Sequence, residues 1–250
     1  MSSPSTVYFI SGAGRGIGLG LVKSFAARSD SLVFAGARAP EKADALNELA
    51  KATGGRVVVV KLDAGSDEDH KAAVELVKQQ DGRVDVVIAN AGIAEGPALT
   101  ATGPPEAYSK HFATNVVGPL RLFQALLPLL QASSKPQFLA MSSAVGSNTL
   151  NLAMPNDPYG VSKAALNFLV TKIASEHGEA DNLTAWVTHP GLVATDMGNL
   201  VVDFYKAQGV DVPFVTVDES VAGLTKLVDN ATRETMGGKF VQYDGAELPW

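Results

Sequence analysis

Cysteine is absent from the 250 residues. Disulfides, thiolate nucleophiles and cysteine-ligated zinc are thereby excluded. The chain suits a reducing compartment, and a cytoplasmic location is expected. Histidine is scarce: His70, His111, His177 and His189 stand far apart, without the spacing that puts two ligands on one helix face, so no metal is expected. Charged residues make up only 18%, with a net charge of -6. An acidic chain is repelled by phosphate backbones and anionic lipid, so neither nucleic acid nor a membrane surface is expected as a partner. No uninterrupted apolar run reaches the roughly 18–20 residues of a membrane helix. The opening Met1-Ser2-Ser3-Pro4-Ser5 lacks the basic and apolar parts of an export signal.

What is present is apolar and regularly alternating. Hydrophobic residues make up 46% of the chain, ample for a large core. Short apolar runs at 7–11, 32–37, 56–62, 84–90, 137–142, 184–188 and 239–242 read as strands. Most are continuously apolar, as strands buried on both faces are. Between them lie helical stripes. Ile17, Leu21 and Phe25 recur every four residues, Leu166, Leu169, Val170, Ile173 and Ala174 follow the same period, and so do Val221, Leu224 and Val228. The stretch 105–131 is also expected to be helical, bent or broken at Pro119 or Pro128. A strand–helix alternation with right-handed crossovers gives a Rossmann-type, doubly wound α/β parallel sheet of seven strands with helices on both faces. With no linker or repeat to divide it, the chain is expected to be a single domain over 1–250.

The first strand ends in Ser11-Gly12-Ala13-Gly14-Arg15-Gly16-Ile17-Gly18 and a helix follows at once. Glycines let the backbone approach a pyrophosphate, and the helix N-terminus offers it free N–H groups. After the second strand, Phe34-Ala35-Gly36-Ala37-Arg38 has no carboxylate to accept from a ribose 2′-hydroxyl. Arg38, with Arg15 in the glycine turn, favours a 2′-phosphate instead. The cofactor expected is NADPH/NADP+. Further on, Tyr159 and Lys163 stand four apart, on one face of a helix. A cation beside a phenol stabilises the phenolate, so a lowered tyrosine pKa is expected, with Tyr159 donating a proton to a carbonyl oxygen.

The spacing Gly-x-x-x-Gly-x-Gly together with Tyr-x-x-x-Lys resembles the short-chain dehydrogenase/reductase family, and the resemblance runs over essentially the whole chain. It implies that Gly12, Gly16, Ile17 and Gly18 take the pyrophosphate side, with Arg15 at the 2′-phosphate. By the same resemblance Asp63 and Ala64 lie at adenine, and Asn90, Ala91 and Gly92 at the adenosine ribose. Tyr159 and Lys163 would touch both cofactor and substrate. The segment His189-Pro190-Gly191-Leu192-Val193-Ala194-Thr195 resembles the family's nicotinamide segment, which implies roles for Pro190, Gly191, Val193 and Thr195. Asn115 matches the family asparagine of the proton relay. In Met141-Ser142-Ser143-Ala144-Val145-Gly146, Ser143 is the first choice for the hydroxyl that holds the substrate oxygen and Ser142 the second. The separation from Ser143 to Tyr159 is wider than the family's usual one, which implies a longer loop over the substrate. The ending Tyr243-Asp244-Gly245-Ala246-Glu247-Leu248-Pro249-Trp250 looks like the fungal norsolorinic-acid-ketoreductase-like group, which overlaps C-factor-like and carbonyl-reductase-like members.

Three segments, 93–105, 144–158 and 197–213, are expected to wall the substrate. They carry Leu99, Leu150, Leu152, Met154, Leu200, Val201, Val202, Phe204 and Tyr205. A neutral, apolar small-molecule ketone, aromatic or polyketide-derived, is the expected substrate. The rivals are an imine reductase on the same cofactor and a non-catalytic NADP-binding sensor or scaffold. The family resemblance implies a homodimer or homotetramer, with a monomer as the other possibility, and the apolar 120–130 stretch is compatible with an interface. His189 is expected to be structural.

Overall fold

Every expected strand forms, each within two residues of its expected ends: β1 Thr6–Ile10, β2 Ser31–Ala37, β3 Val57–Lys61, β4 Val86–Ala89, β5 Gln137–Met141, β6 Thr184–His189 and β7 Phe240–Gln242. They are seen in a computed structural model that describes residues 6–152, 154–199, 206 and 214–250. Leu200, Val201, Val202, Phe204 and Tyr205, expected at the substrate wall, lie outside the described residues, as does most of 197–213. The strands form one parallel sheet in the order β3-β2-β1-β4-β5-β6-β7. The winding reverses between β1 and β4, so a crevice opens at their carboxyl ends.

Both faces of the sheet are covered. Val7 and Phe9 point to a core shared with α3 (Asp67–Gln80), α5 (Gly118–Leu130) and α6 (Asp157–His177). Tyr8 and Ile10 point the other way, to α1 (Gly16–Ala26), α2 (Asp44–Ala52) and α7 (Val217–Asn230). Since both sides need apolar partners, the period of two vanishes from the strand sequences. A capping box starts α7: Thr216 Oγ accepts the Glu219 N–H at 3.1 Å, and the Glu219 carboxylate accepts the Thr216 N–H at 2.9 Å.

The expected helix 105–131 is divided. α4 (Pro105–Phe112) passes into a π turn at Ala113–Val117, and α5 follows. Pro119 has no N–H, and its ring would meet the carbonyl of Asn115, four residues back. The wider turn avoids this: Gly118 N–H bonds to the Ala113 carbonyl, five residues back. Pro128 is carried inside α5. Taken together, Pro105–Leu130 has 26 residues, and its most apolar 18-residue window has a mean hydropathy of 1.2. By length and composition alone it passes for a membrane helix, although Asn115, Arg121 and Gln124 interrupt its apolar run. Its apolar side chains are spent on the core instead, where Leu122, Phe123, Leu126, Leu129 and Leu130 are buried.

Gly18 shows how tightly the turn is built. A Cβ there would lie 2.2 Å from the Gly12 carbonyl oxygen, whereas one at Gly14 would meet Ala43 at 3.6 Å, an ordinary contact. Gly18→Ala is therefore expected to destabilise the cofactor-free protein by about 1–3 kcal/mol, the usual cost of overpacking. Gly14→Ala should melt close to wild type, and thermal denaturation of the two variants side by side checks this.

Candidate active site

At the strand reversal, the ends of β1 and β4 are tied together by two side chains. Ser11 Oγ accepts the backbone N–H groups of Asn90 and Ala91, at 3.0 and 3.1 Å. Asn90 Nδ2 donates back to the carbonyls of Ser11 and Gly12, at 3.0 and 3.1 Å. The brace holds the glycine turn open at the start of α1, with Gly12 and Gly16 at φ of 66° and 56°, where glycine is the residue without strain. Ile17 enters α1 and packs on the α1–α2 side of the sheet. The turn and the helix end fit a pyrophosphate.

The outer end of the crevice fits a phosphate rather than a free ribose hydroxyl. Ala37 is buried at the end of β2, Arg38 beside it is exposed, and no carboxylate occupies either position. Arg15, in the glycine turn, forms an ion pair with Asp196. Nothing in the sequence pattern marks Asp196, because the pairing joins segments 181 positions apart. Asp63 follows β3, where its carboxylate accepts the Gly65 N–H at 2.8 Å. Ala64 lies against Gly118, where a Cβ would approach it to 2.9 Å.

Asn115, Ser143, Tyr159 and Lys163 converge from the π turn, the turn after β5 and the first turns of α6. The Ser143 hydroxyl faces the Tyr159 phenol and favours its ionised form. Ser142 points elsewhere, donating to Asn167 Oδ1 at 2.5 Å, so of the two serines Ser143 is the one at the phenol. Lys163 is 4% exposed. Its ammonium donates to the Met141 carbonyl at 2.7 Å and lies 5.5 Å from the centre of the Tyr159 ring. Asn115 is fully buried. Its Oδ1 accepts the Ile93 N–H at 2.8 Å, and its Nδ2 donates to the Ile93 carbonyl and the Ser162 hydroxyl, each at 2.9 Å. Gly92 fits between them: a Cβ there would be 3.2 Å from Asn115 Oδ1 and 3.7 Å from Lys163 Nζ. Ser162, Asn167 and His111, whose ring stands 6.4 Å from that of Tyr159, are members of this cluster that sequence spacing did not reveal.

The electrostatics correct one expectation. Tyr159 is not lowered by its lysine. Burial pushes the phenol up to about 12, against the opposing effect of the Ser143 hydroxyl, and burial alone brings Lys163 down to about 7. Desolvation outweighs mutual attraction because the ammonium is turned toward the Met141 carbonyl.

Beyond β6, Gly191 has φ of 89°, and a Cβ there would strike Val215 at 2.9 Å. Pro190 accepts the Ser220 hydroxyl at 2.7 Å. Val193 bridges Val215, and Thr195 reaches the glycine turn, where a Cβ at Gly16 would meet its methyl at 3.4 Å. His189 is largely buried, and burial depresses its pKa to about 4, with Asp244 opposing, so the ring is neutral. Two of the three substrate segments are joined: Ala98 N–H donates to the Pro155 carbonyl at 2.9 Å, and Asp157 N–H to the Ala98 carbonyl at 3.0 Å. Leu99, Leu150 and Leu152 remain exposed there.

The lysine gives a stability signature. Its pKa is about 7 in the fold against 10.5 free, so between those values the unfolded chain binds more protons. The lysine's contribution to stability therefore rises with pH through that window and is least favourable below it. A shift of this size outweighs the loss of one neutral hydrogen bond, about 1 kcal/mol. Cofactor-free Lys163→Met is expected to be more stable than wild type at neutral pH, with the difference closing toward pH 10.5. Urea denaturation of both proteins across that range measures it.

The sequence matches the family model of short chain dehydrogenases over residues 6–206. It is 38% identical over 255 residues to the short chain dehydrogenase gsfK of Penicillium aethiopicum, covering 99% of this chain and 100% of that one. To the norsolorinic acid ketoreductase of Aspergillus parasiticus it is 38% identical over 253 residues, covering 98% and 91%. The crystal structure of NADPH-bound carbonyl reductase from chicken fatty liver superposes with a TM-score of 0.87 at 30% identity, covering 99% of this chain and 100% of that one. With these matches spanning the glycine turn, the Tyr159–Lys163 helix and the sheet between them, the chain belongs to the short-chain dehydrogenase/reductase family of oxidoreductases.

Proposed function

We propose that this protein is an NADPH-dependent carbonyl reductase acting on an apolar ketone of aromatic or polyketide type, with Tyr159 as general acid. The observation that carries the reading is the buried Lys163 ammonium 5.5 Å from the centre of the Tyr159 ring, with the Ser143 hydroxyl facing the phenol. A sensor would need the cofactor half of the crevice alone. The similarity to a ketoreductase and to an NADPH-bound carbonyl reductase supports the same reaction.

On this reading Gly12, Gly16, Ile17 and Gly18 hold the pyrophosphate, Arg15 and Arg38 the 2′-phosphate, and Asp63 and Ala64 the adenine. Asn90, Ala91 and Gly92 line the adenosine ribose, Pro190, Gly191 and Val193 the nicotinamide end, and Thr195 the pyrophosphate side. Arg15 must exchange Asp196 for phosphate. Both side chains of that pair are exposed, at 80% and 74%, and such pairs are worth about 0–1 kcal/mol. An arginine–phosphate hydrogen bond contributes about 1.5–3 kcal/mol, so phosphate prevails.

The cofactor supplies the hydride. Ser143 holds the carbonyl oxygen beside the Tyr159 phenol. A phenol raised to about 12 is protonated at neutral pH, and the alkoxide created at the carbonyl is a stronger base than the phenolate, so the proton moves to the substrate. Lys163 stabilises the phenolate left behind, and Asn115 keeps the backbone at Ile93 in place beside it. The apolar Leu99, Leu150, Leu152 and Met154 favour a ketone without charge. Phe112, Val161 and Phe168, exposed on α4 and α6, support a homodimer or homotetramer through those helices, in a cytoplasmic setting.

Tyr159→Phe is expected to lower kcat about 10²–10⁴-fold, the usual contribution of a general acid, while NADPH affinity by fluorescence titration stays near wild type. Turnover unchanged by the substitution would move the reaction to imine reduction or another acid. NADPH binding by wild type without turnover of any aryl alkyl ketone would favour the sensor. Arg38→Ala should raise KM for NADPH about 10–100-fold, one charge-assisted bond, with little effect on NADH. Steady-state kinetics with both cofactors tests it.

A further inference from the structure

His111 sits on α4 four residues before Asn115 and is fully buried. Its Nδ1 lies 2.7 Å from the carbonyl of Ala107, a pure acceptor, so Nδ1 carries the proton. Nε2 is then the acceptor, and it receives the backbone N–H of Glu95 at 3.2 Å. The spacing of four puts His111 and Asn115 on one helical face. Together they hold alternate residues of the segment leaving β4, Asn115 gripping both backbone groups of Ile93 and His111 the amide of Glu95. The same imidazole stands edge-on to the Tyr159 ring, at 71° between planes. A purely apolar side chain could fill this volume and support the ring, but it would leave the Glu95 N–H without its partner.

We infer that His111 is a positioning residue, a neutral imidazole that clamps the 93–95 backbone to α4 and sets the angle at which the Tyr159 phenol meets the substrate. The inference rests on the reading of Tyr159 as the acid. It assigns to His111 the link between the cofactor motif Asn90-Ala91-Gly92, the first substrate segment and the acid.

Two variants separate clamp from filler. His111→Gln keeps an acceptor near the place of Nε2, and His111→Leu keeps bulk without one. With NADPH and hexanophenone, His111→Leu is expected to lower kcat about tenfold or more, the worth of one hydrogen bond, with KM for NADPH within about twofold of wild type. His111→Gln should recover most of that loss. Wild-type kcat in His111→Leu, or equal impairment in the two variants, overturns the inference. Amide hydrogen exchange at Glu95 gives a readout independent of turnover, faster in His111→Leu and restored in His111→Gln. If wild type reduces no ketone, the reading of Tyr159 fails by itself, and exchange decides the clamp: equal protection in all three proteins sinks it. Should His111→Leu not fold, His111→Ile serves as the acceptor-free variant.

Discussion

An ammonium buried to 4% exposure is the constraint around which the rest of this crevice is arranged. Lys163 can stay there only with a partner for its proton, and the Met141 carbonyl, 2.7 Å away, is that partner. The bond ties the start of α6 to the end of β5. It also draws in the turn after β5 until Gly146 touches the lysine backbone, where a Cβ would lie 2.7 Å from the Lys163 carbonyl carbon. Ser143 is thereby delivered to Tyr159, and Ser142 is turned away to Asn167. A group of this kind weakens the fold to serve the chemistry, the usual bargain at sites built for reaction.

The opposite wall is built from backbone groups held by side-chain amides and hydroxyls. Ser11 and Asn90 close the gap between β1 and β4, and Asn115 and His111 continue the line along the segment that follows. Each of these side chains satisfies main-chain donors or acceptors that the sheet and helices cannot reach, since strand ends leave such groups unpaired. The π turn at Ala113–Val117, required by Pro119, is where Asn115 enters this line. Fold and site share one origin here: the proline that bars an ordinary helix stands four residues beyond the asparagine that braces Ile93.

Much of this was legible in the chain itself. Continuous apolar runs separated by helical stripes are a consequence of burying both faces of a sheet, so strand count, fold class and near-boundaries could be read locally. The glycine turn was legible because few other residues tolerate φ near 60°, and Tyr159 and Lys163 because a spacing of four places them on one helix face. The absence of a carboxylate after β2 was likewise written in five consecutive residues. Each of these depends on neighbours within one or two turns of chain.

What tertiary structure alone decided were the relations between segments far apart in sequence. Ser142 bonding to Asn167, Arg15 pairing with Asp196, His111 beside Tyr159, and the burial of Leu122, Phe123, Leu126, Leu129 and Leu130 in the core all depend on where elements come to rest. The expected lowering of the tyrosine pKa failed for the same reason. A spacing of four predicts that a cation is near, but the balance of attraction against desolvation depends on how deeply both groups are buried and on which carbonyl the ammonium meets. Local sequence determines which groups can be neighbours, and the packing of the whole chain determines the solvent they lose and the partners they gain.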